Sequence, residues 1–249
     1  MRGAYDDAFA RMYDKYYPDF ARAVTPMILE IVRDFRPGDA PPVIELCCGP
    51  GILVAALAEA GIRAVGVDLS ETMLRIAEGK LDAAHANLAR FERADVFGNF
   101  DVGPAGVVVA SNAALNYAEN GEALAHCLGS VGRSLAPGGL LIGDVVTVSG
   151  LQNVTSLMVG DEQGRLVVIR GTFDEETATA YLQLSGFFRD GEVWTRFNHM
   201  SRQRYFTQDE LDRVAESAGL VPAHDNDRFK ILFEALEGFR RTGIAYLKR

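Results

Sequence analysis

An apolar run that enters a glycine turn and leaves as a helix constrains this chain more than any other stretch. Residues 43–51 read VIELCCGPG; the first half is apolar with one carboxylate, Glu45, and the second half ends in Gly49-Pro50-Gly51. Residues 52–60, ILVAALAEA, have helical composition. Strand, glycine turn and helix in succession are how a doubly wound sheet presents a nucleotide site. The turn lets backbone approach the ligand, and the helix N-terminus adds free N–H groups. A glycine turn alone is a weak signal. Here Asp68 closes a second apolar run, Ala64-Val65-Gly66-Val67, seventeen residues after Gly51. A carboxylate at the end of the second strand can take both hydroxyls of a ribose.

A missing glycine narrows the nucleoside. The dinucleotide fingerprint places its third glycine at position 54, which is Val54. Glu45 would also repel a pyrophosphate, whereas an aminoacyl nucleoside carrying an ammonium group tolerates it. The pattern resembles motif I of the class I S-adenosylmethionine (SAM) methyltransferases. Glu45, Gly49 and Gly51 match it, with Cys47 and Cys48 before the first glycine. The resemblance is close over residues 43–146 and loose elsewhere, and it implies SAM as cofactor.

Further residues take their expected roles from that resemblance. Asp68 and Leu69 flank the ribose, and Met73 faces back toward the nucleoside from a helix capped by Ser70 and running to about Leu88. Asp95 and Val96 match the motif whose acid accepts from the adenine amino group. The aromatic face of YDDAFARMYDKYY, residues 5–17, resembles the segment that closes the site in small-molecule members, with Tyr13 as its tyrosine and Tyr17 toward the acceptor. The competing reading of that segment is a helix packed on the core. The buried strand Ala105–Ala110 ends in Ser111-Asn112, followed by Asn116-Tyr117. Ligands lie beyond the carboxyl ends of such strands, so these polar groups belong near the reacting methyl. Helix 121–135, a Pro137-Gly138-Gly139 turn and strand 140–146 complete the pattern.

From Ser149 the helix–strand alternation stops. Residues 165–173, 177–189 and 192–206 are rich in β-branched and aromatic residues and predict an antiparallel meander. Some SAM methyltransferases acting on sugars and other small amines insert such a sheet over the substrate; a dimer interface is the other reading. A helix over 208–218 and strands near 231–236 and 243–247 finish the chain. The expected architecture is an α/β fold: a doubly wound, Rossmann-like sheet with N-terminal lid helices and an inserted antiparallel β-meander. The expected divisions are 1–40 (lid), 41–148 (SAM-binding core), 149–206 (insertion) and 207–249 (completion of the core).

Composition excludes other classes. The net charge of −9 opposes nucleic-acid binding, which relies on clustered Lys and Arg. No apolar run approaches a membrane span, and no export signal is visible at the N-terminus. The three cysteines have no zinc spacing and read as reduced, buried thiols, so no metal is expected and the location is cytoplasmic.

Methyl transfer from a sulfonium needs alignment and a dry site more than covalent help. Where the acceptor starts protonated, His199 is the natural base because an ordinary imidazole titrates near neutrality. In an unbroken strand His199 and Tyr205 share one face and Arg202 and Arg204 the other, so only one set can meet the site. The expected catalytic set is His199, Tyr117 and Tyr13, with Tyr17, Asn112, Asn116, Tyr117, Arg202 and Tyr205 around the acceptor. The functional reading is methyl transfer to nitrogen or oxygen of a small molecule, in a protein that can pair as a homodimer through the insertion. A non-catalytic SAM-binding scaffold and a nicotinamide-dependent reductase are the alternatives, the latter disfavoured by Val54 and Glu45.

Overall fold

The computed structural model describes residues 6–35, 41–98, 100–101, 103–153, 157–162 and 164–249. Two helices lead, α1 (Asp7–Tyr16) and α2 (Asp19–Phe35). Five parallel strands follow: β1 (Val43–Leu46), β2 (Ala64–Asp68), β3 (Ala89–Arg93), β4 (Ala105–Ala110) and β5 (Leu135–Val146). Between them lie α3 (Ile52–Glu59), α4 (Glu71–Glu78) and α5 (Gly121–Ser134). Short α6 (Val148–Gln152) leads into the antiparallel strands β6 (Leu157–Glu162), β7 (Arg165–Asp174), β8 (Thr179–Asp190) and β9 (Val193–Arg204). The chain closes with α7 (Gln208–Ser217), β10 (Leu220–Pro222), α8 (Lys230–Glu237) and β11 (Arg241–Lys248). The larger sheet has the order β10-β11-β5-β4-β1-β2-β3, with β11 antiparallel to β5.

Strands β1, β2 and β4 and residues 140–146 of β5 are buried on both faces, and successive residues feed opposite cores, whereas the edge strand β3 is partly exposed. Val43, Val107 and Leu140 face α2, α3 and α8, while their neighbours Ile44, Val108 and Leu141 face α5 and α7. The order reverses between β1 and β4, which opens a crevice at their carboxyl ends, the place where an open α/β sheet takes its ligand.

Helix α1 lies between the two sheets. Phe9 and Met12 are buried against Val167, Phe188 and Phe197 of the insertion. On its other side Asp7 meets Thr72 and Arg75, and Lys80 Nζ lies 2.6 Å from Asp14. Asp6 caps the helix by accepting from the Phe9 N–H. The helix therefore serves as the inner wall of the insertion as well as a cover over the crevice.

Several local expectations change. Helix α4 stops at Glu78 instead of Leu88; Gly79 caps it, and Asp82 folds the next residues into a turn by accepting from the His85 N–H. His85 thus sits in a turn and not in a helix. The Pro137-Gly138-Gly139 segment is absorbed into β5 as an irregularity, with Gly138 at φ +76°, so the strand starts at Leu135. Residues 231–236 lie in helix α8, not in a strand. The buried positions Phe229, Leu232 and Leu236 are spaced three and four apart, which is a helical face. Strands β6 and β10 are additional to the expected set. Among the described residues no helix is long and apolar enough to cross a membrane.

Candidate active site

At the carboxyl end of β1 the chain turns sharply. Cys47, Gly49 and Gly51 all take left-handed backbone, with φ of 53°, 51° and 70°. Gly51 must be glycine on a second count, because a Cβ there would lie 2.6 Å from the Ala77 Cβ. It stands behind the cavity wall as the first turn of α3 begins. Asp68 braces the turn from β2: its Oδ2 accepts from the Gly49 N–H at 2.9 Å and its Oδ1 from the Ser70 N–H at 2.8 Å. Cys48 packs under the turn and above Gly66, where a Cβ would come within 2.8 Å of its sulfur.

Glu45 is buried beneath this turn. The Val54 N–H, at the start of α3, donates to its carboxylate, yet nothing among the described residues bonds to Oε2. Burial, with the Asp68 carboxylate nearby, pushes the Glu45 carboxyl up to about 8. Asp68 is also raised, chiefly by burial, against the pull of its backbone donors. Two acids at one buried point, one with an unused oxygen, are incomplete without a cation. The aminoacyl ammonium of SAM fits that requirement. A pyrophosphate does not.

The cavity above measures about 450 Å³. Its floor is Glu45, Gly49 and Asp68; one wall is Leu69 and Met73, and a second is Asp95, Val96 and Phe97. Asp95 folds its own loop by accepting from the Phe97 N–H at 3.0 Å. Ser111, Asn112 and Tyr117 enter from the end of β4. Tyr13 and Tyr17 close the top from α1, their rings stacked 5.9 Å apart. The roof comes from β8 and β9: Tyr181, then His199, Met200, Ser201 and Arg202.

The structure therefore brings most of the sequence-derived site residues to one cavity, and sets others aside. Asn116 is fully buried away from it; its Nδ2 donates to the Arg204 carbonyl and its Oδ1 accepts from the Val146 N–H, both at 2.9 Å. That amide is spent joining the end of β9 to the end of β5. Tyr205 lies past the end of β9 and packs with Ala113, Val146, Leu151 and Ala180. Four consecutive residues of β9 touch the cavity, so its two faces do not divide as an isolated strand would. Being the edge strand of its sheet, it shows its neighbour residues of both parities.

His199 stacks on Phe9 with ring centroids 4.2 Å apart. Burial pushes its imidazole down to about 4, against a weaker opposite effect of Asp6. It is neutral throughout the physiological range and a weak base there. Tyr13 is pushed up to about 12, mainly by burial, so it stays a hydroxyl. Arg202 donates from Nη2 to the Glu119 carbonyl at 2.7 Å and sets Nη1 3.9 Å from the Glu119 carboxylate; its Nε is buried with no partner among the described residues. Sequence reasoning missed Glu119, Tyr181 and Cys47 on the lining, and also Asp144. Asp144 carried a readable signal, a carboxylate inside the apolar run 140–146 that demands a partner.

A mostly parallel sheet with a carboxylate near the end of each of its first two strands, joined by a glycine turn beneath a cavity, fits an aminoacyl nucleoside. Residues 43–139 match the family described as a methyltransferase domain. The chain is 27% identical over 179 residues to the putative methyltransferase YqeM of Bacillus subtilis, covering 71% of this chain and 72% of that one. Among solved structures, a SAM-dependent methyltransferase from Clostridium acetobutylicum superposes with a TM-score of 0.74 at 21% identity, covering 96% of each chain. The sugar N-methyltransferase KedS8 from Streptoalloteichus superposes with a TM-score of 0.72 at 25% identity, over 100% of this chain and 97% of that one. Residues 43–139 thus carry a methyltransferase domain, and the fold of the whole chain is that of SAM-dependent methyltransferases.

Proposed function

We propose that this methyltransferase acts on a nitrogen or a hydroxyl of a small molecule, with amino sugars and related natural-product intermediates as the favoured class. The observation that carries the reading is the cover of α1 and β8–β9 over the cavity, whose volume of about 450 Å³ suits a nucleoside beside a compact acceptor. KedS8, whose likeness extends through this inserted sheet, supports the sugar amine.

SAM supplies a methyl group already activated by its sulfonium. The chain's own residues hold and orient. Glu45 takes the ammonium, Gly49 and Gly51 shape the turn beneath it, and Asp68 and Leu69 meet the ribose. Met73, Asp95 and Val96 border the base, and Ser111 and Tyr13 lie toward the transferred group. Tyr17, Asn112, Tyr117 and Arg202 face the acceptor, with the Arg202 Nε as an open donor. Tyr13, Tyr117 and His199 exclude water from the transfer path and can hold the acceptor by hydrogen bonds. An amine acceptor bound with a free lone pair needs no stronger base than this site offers.

The outer face of the inserted sheet exposes Val159, Phe187, Trp194 and Met200, each at 44% or more. We take this face as the homodimer contact, and the free thiols as fitting a cytoplasmic setting. Sedimentation with Trp194→Arg checks the first.

Single-turnover transfer from methyl-labelled SAM to a panel of nucleotide-linked amino sugars, small amines and hydroxylated acceptors tests the activity. Labelled product from an amino sugar supports the proposal. Binding of S-adenosylhomocysteine with no transfer to any of them would leave a scaffold.

A further inference from the structure

We infer that Arg241 is a positioning residue for Tyr13, acting through Asn112 to latch the N-terminal helix onto the end of the last strand. The inference rests on reading α1 as the cover of the SAM cavity. Arg241 opens β11 and reaches across β5. Its Nη1 lies 2.5 Å from Asp144 Oδ2, and its Nη2 donates to Asn112 Oδ1 at 2.9 Å. Asp144 holds the same loop through backbone: Oδ1 accepts from the Asn112 N–H at 2.6 Å and Oδ2 from the Ala113 N–H at 2.9 Å. Asn112 and Ala113 both take left-handed backbone, with φ of 57° and 62°, and this pair of residues is fixed by those bonds.

The guanidinium settles which way the Asn112 amide points. With Oδ1 committed to Arg241, Nδ2 must face the other way, and there it donates to the Tyr13 hydroxyl at 2.8 Å. A hydroxyl that accepts from an amide keeps its own proton for another partner. Tyr13 lines the cavity, so the chain of bonds from Arg241 ends at the cavity wall. Arg241 also lies flat over Phe20 at 4.2 Å, and Phe20 meets Phe239 edge-on. Both N-terminal helices thus end on one side chain of the last strand. Asp144 is 1% exposed, so water does not compete for the bonds to its carboxylate.

The experiment is hydrogen exchange on the whole protein, read at the amides of residues 7–16 with α5 as the reference. Arg241→Lys keeps a charge beside Asp144 but loses the planar fork that spans Asp144 and Asn112. Asn112→Gly accepts the positive φ and removes the middle link without disturbing the ion pair. Tyr13→Phe removes the end of the chain. Each single variant is expected to speed exchange in α1 by about fivefold to tenfold while α5 exchanges as in the native protein. Arg241→Lys combined with Tyr13→Phe should be no faster than either alone, because both break one chain. Affinity for S-adenosylhomocysteine, measured by calorimetry, should fall in step. Native-like α1 exchange in Arg241→Lys and Asn112→Gly, additive effects in the double variant, or acceleration spread equally over α5 would each overturn the latch. Loosening of α1 as expected, in a protein that binds no S-adenosylhomocysteine even when native, would uphold the latch and overturn the nucleoside reading.

Discussion

Glu45 and Asp68 stand on adjacent parallel strands, and the second carboxylate adds to burial in holding a proton on the first. Glu45 is pushed up to about 8 before any cation reaches it. Pairing with an ammonium group favours the ionised form, so ligand binding should expel that proton. Affinity for S-adenosylhomocysteine should then rise from pH 6 to about 8, by up to about tenfold per unit, and level off above. Glu45→Gln should bind more weakly at pH 8 and lose the slope. Calorimetry in buffers of different ionisation enthalpy reads both affinity and proton release; a flat affinity and no released proton would remove Glu45 from the ammonium site.

The same group sets a stability slope in the unliganded protein. Its folded pKa lies above the ordinary carboxylate value, so between about pH 4.5 and 8 the folded state binds more protons than the unfolded one. Glu45 therefore makes the apo protein less stable as pH rises through that window. Urea unfolding of the native protein and of Glu45→Gln at pH 5.5 and 8 should show the variant losing less stability across the interval. Equal losses would place the titration elsewhere.

Asp68 braces the glycine turn, a role the sequence did not suggest, beside the ribose role proposed for it. From its strand end it accepts from the Gly49 and Ser70 N–H groups. Asp68→Ala should lower SAM affinity by at least about tenfold and also cost about 2–4 kcal/mol of stability, since two buried donors lose their acceptor. A variant as stable as the native protein would mean that the turn finds other acceptors.

Most of the β1–β5 framework was legible because β1, β2, β4 and the second half of β5 are largely apolar runs, and because helices between them carry capping residues such as Ser70 and Asn120. The two carboxylates of the candidate site were legible because Glu45 and Asp68 interrupt such runs near strand ends. Residues 230–237 were misread because KILFEALE is apolar enough for a strand, and only its packing on Phe229 and Gly243 favours the helix; a Cβ at Gly243 would fall 1.9 Å from the Phe233 ring. The polar groups at the acceptor end were harder. Asn116 and Asn112 are four residues apart on one loop, yet the first ties strands together and the second faces the cavity. Nothing local separates them; the distinction comes from Asp144 and Arg241, distant in sequence.

Cys47 occupies left-handed backbone that ordinarily costs an L-residue about 1–2 kcal/mol. Glycine removes that cost and gives back about 0.5–1 kcal/mol in unfolded-state freedom. Cys47→Gly should therefore be as stable as the native protein or more so, by up to about 1 kcal/mol, whereas Cys47→Ala keeps the strain and should be less stable than Cys47→Gly. Denaturant midpoints compare the three directly. An alanine variant more stable than the glycine one would show that the turn relaxes without the side chain.

The last prediction concerns His199, the residue sequence favoured as a base. An ordinary imidazole would make turnover climb as pH passes neutrality. In its place on β9, stacked on Phe9, the ring is pushed down to about 4 and is already neutral at pH 6. Turnover of the native protein between pH 6 and 9 should consequently show no inflection that His199→Ala abolishes. A base that binds protons so weakly draws little rate from proton transfer, because efficiency depends on a pKa near the working pH. Loss of the ring should act instead through packing, letting α1 shift against the inserted sheet, and should lower turnover by less than about tenfold at every pH. Tyr13→Phe, which removes a hydroxyl held on the cavity wall by Asn112, should cost more. Single-turnover transfer with labelled SAM, across that pH range, measures all three proteins. A loss of about 10²–10⁴-fold in His199→Ala, together with a native inflection near neutrality that vanishes in the variant, would restore His199 as the general base. It would also mean that the bound acceptor raises the imidazole's proton affinity, as a cationic substrate could not.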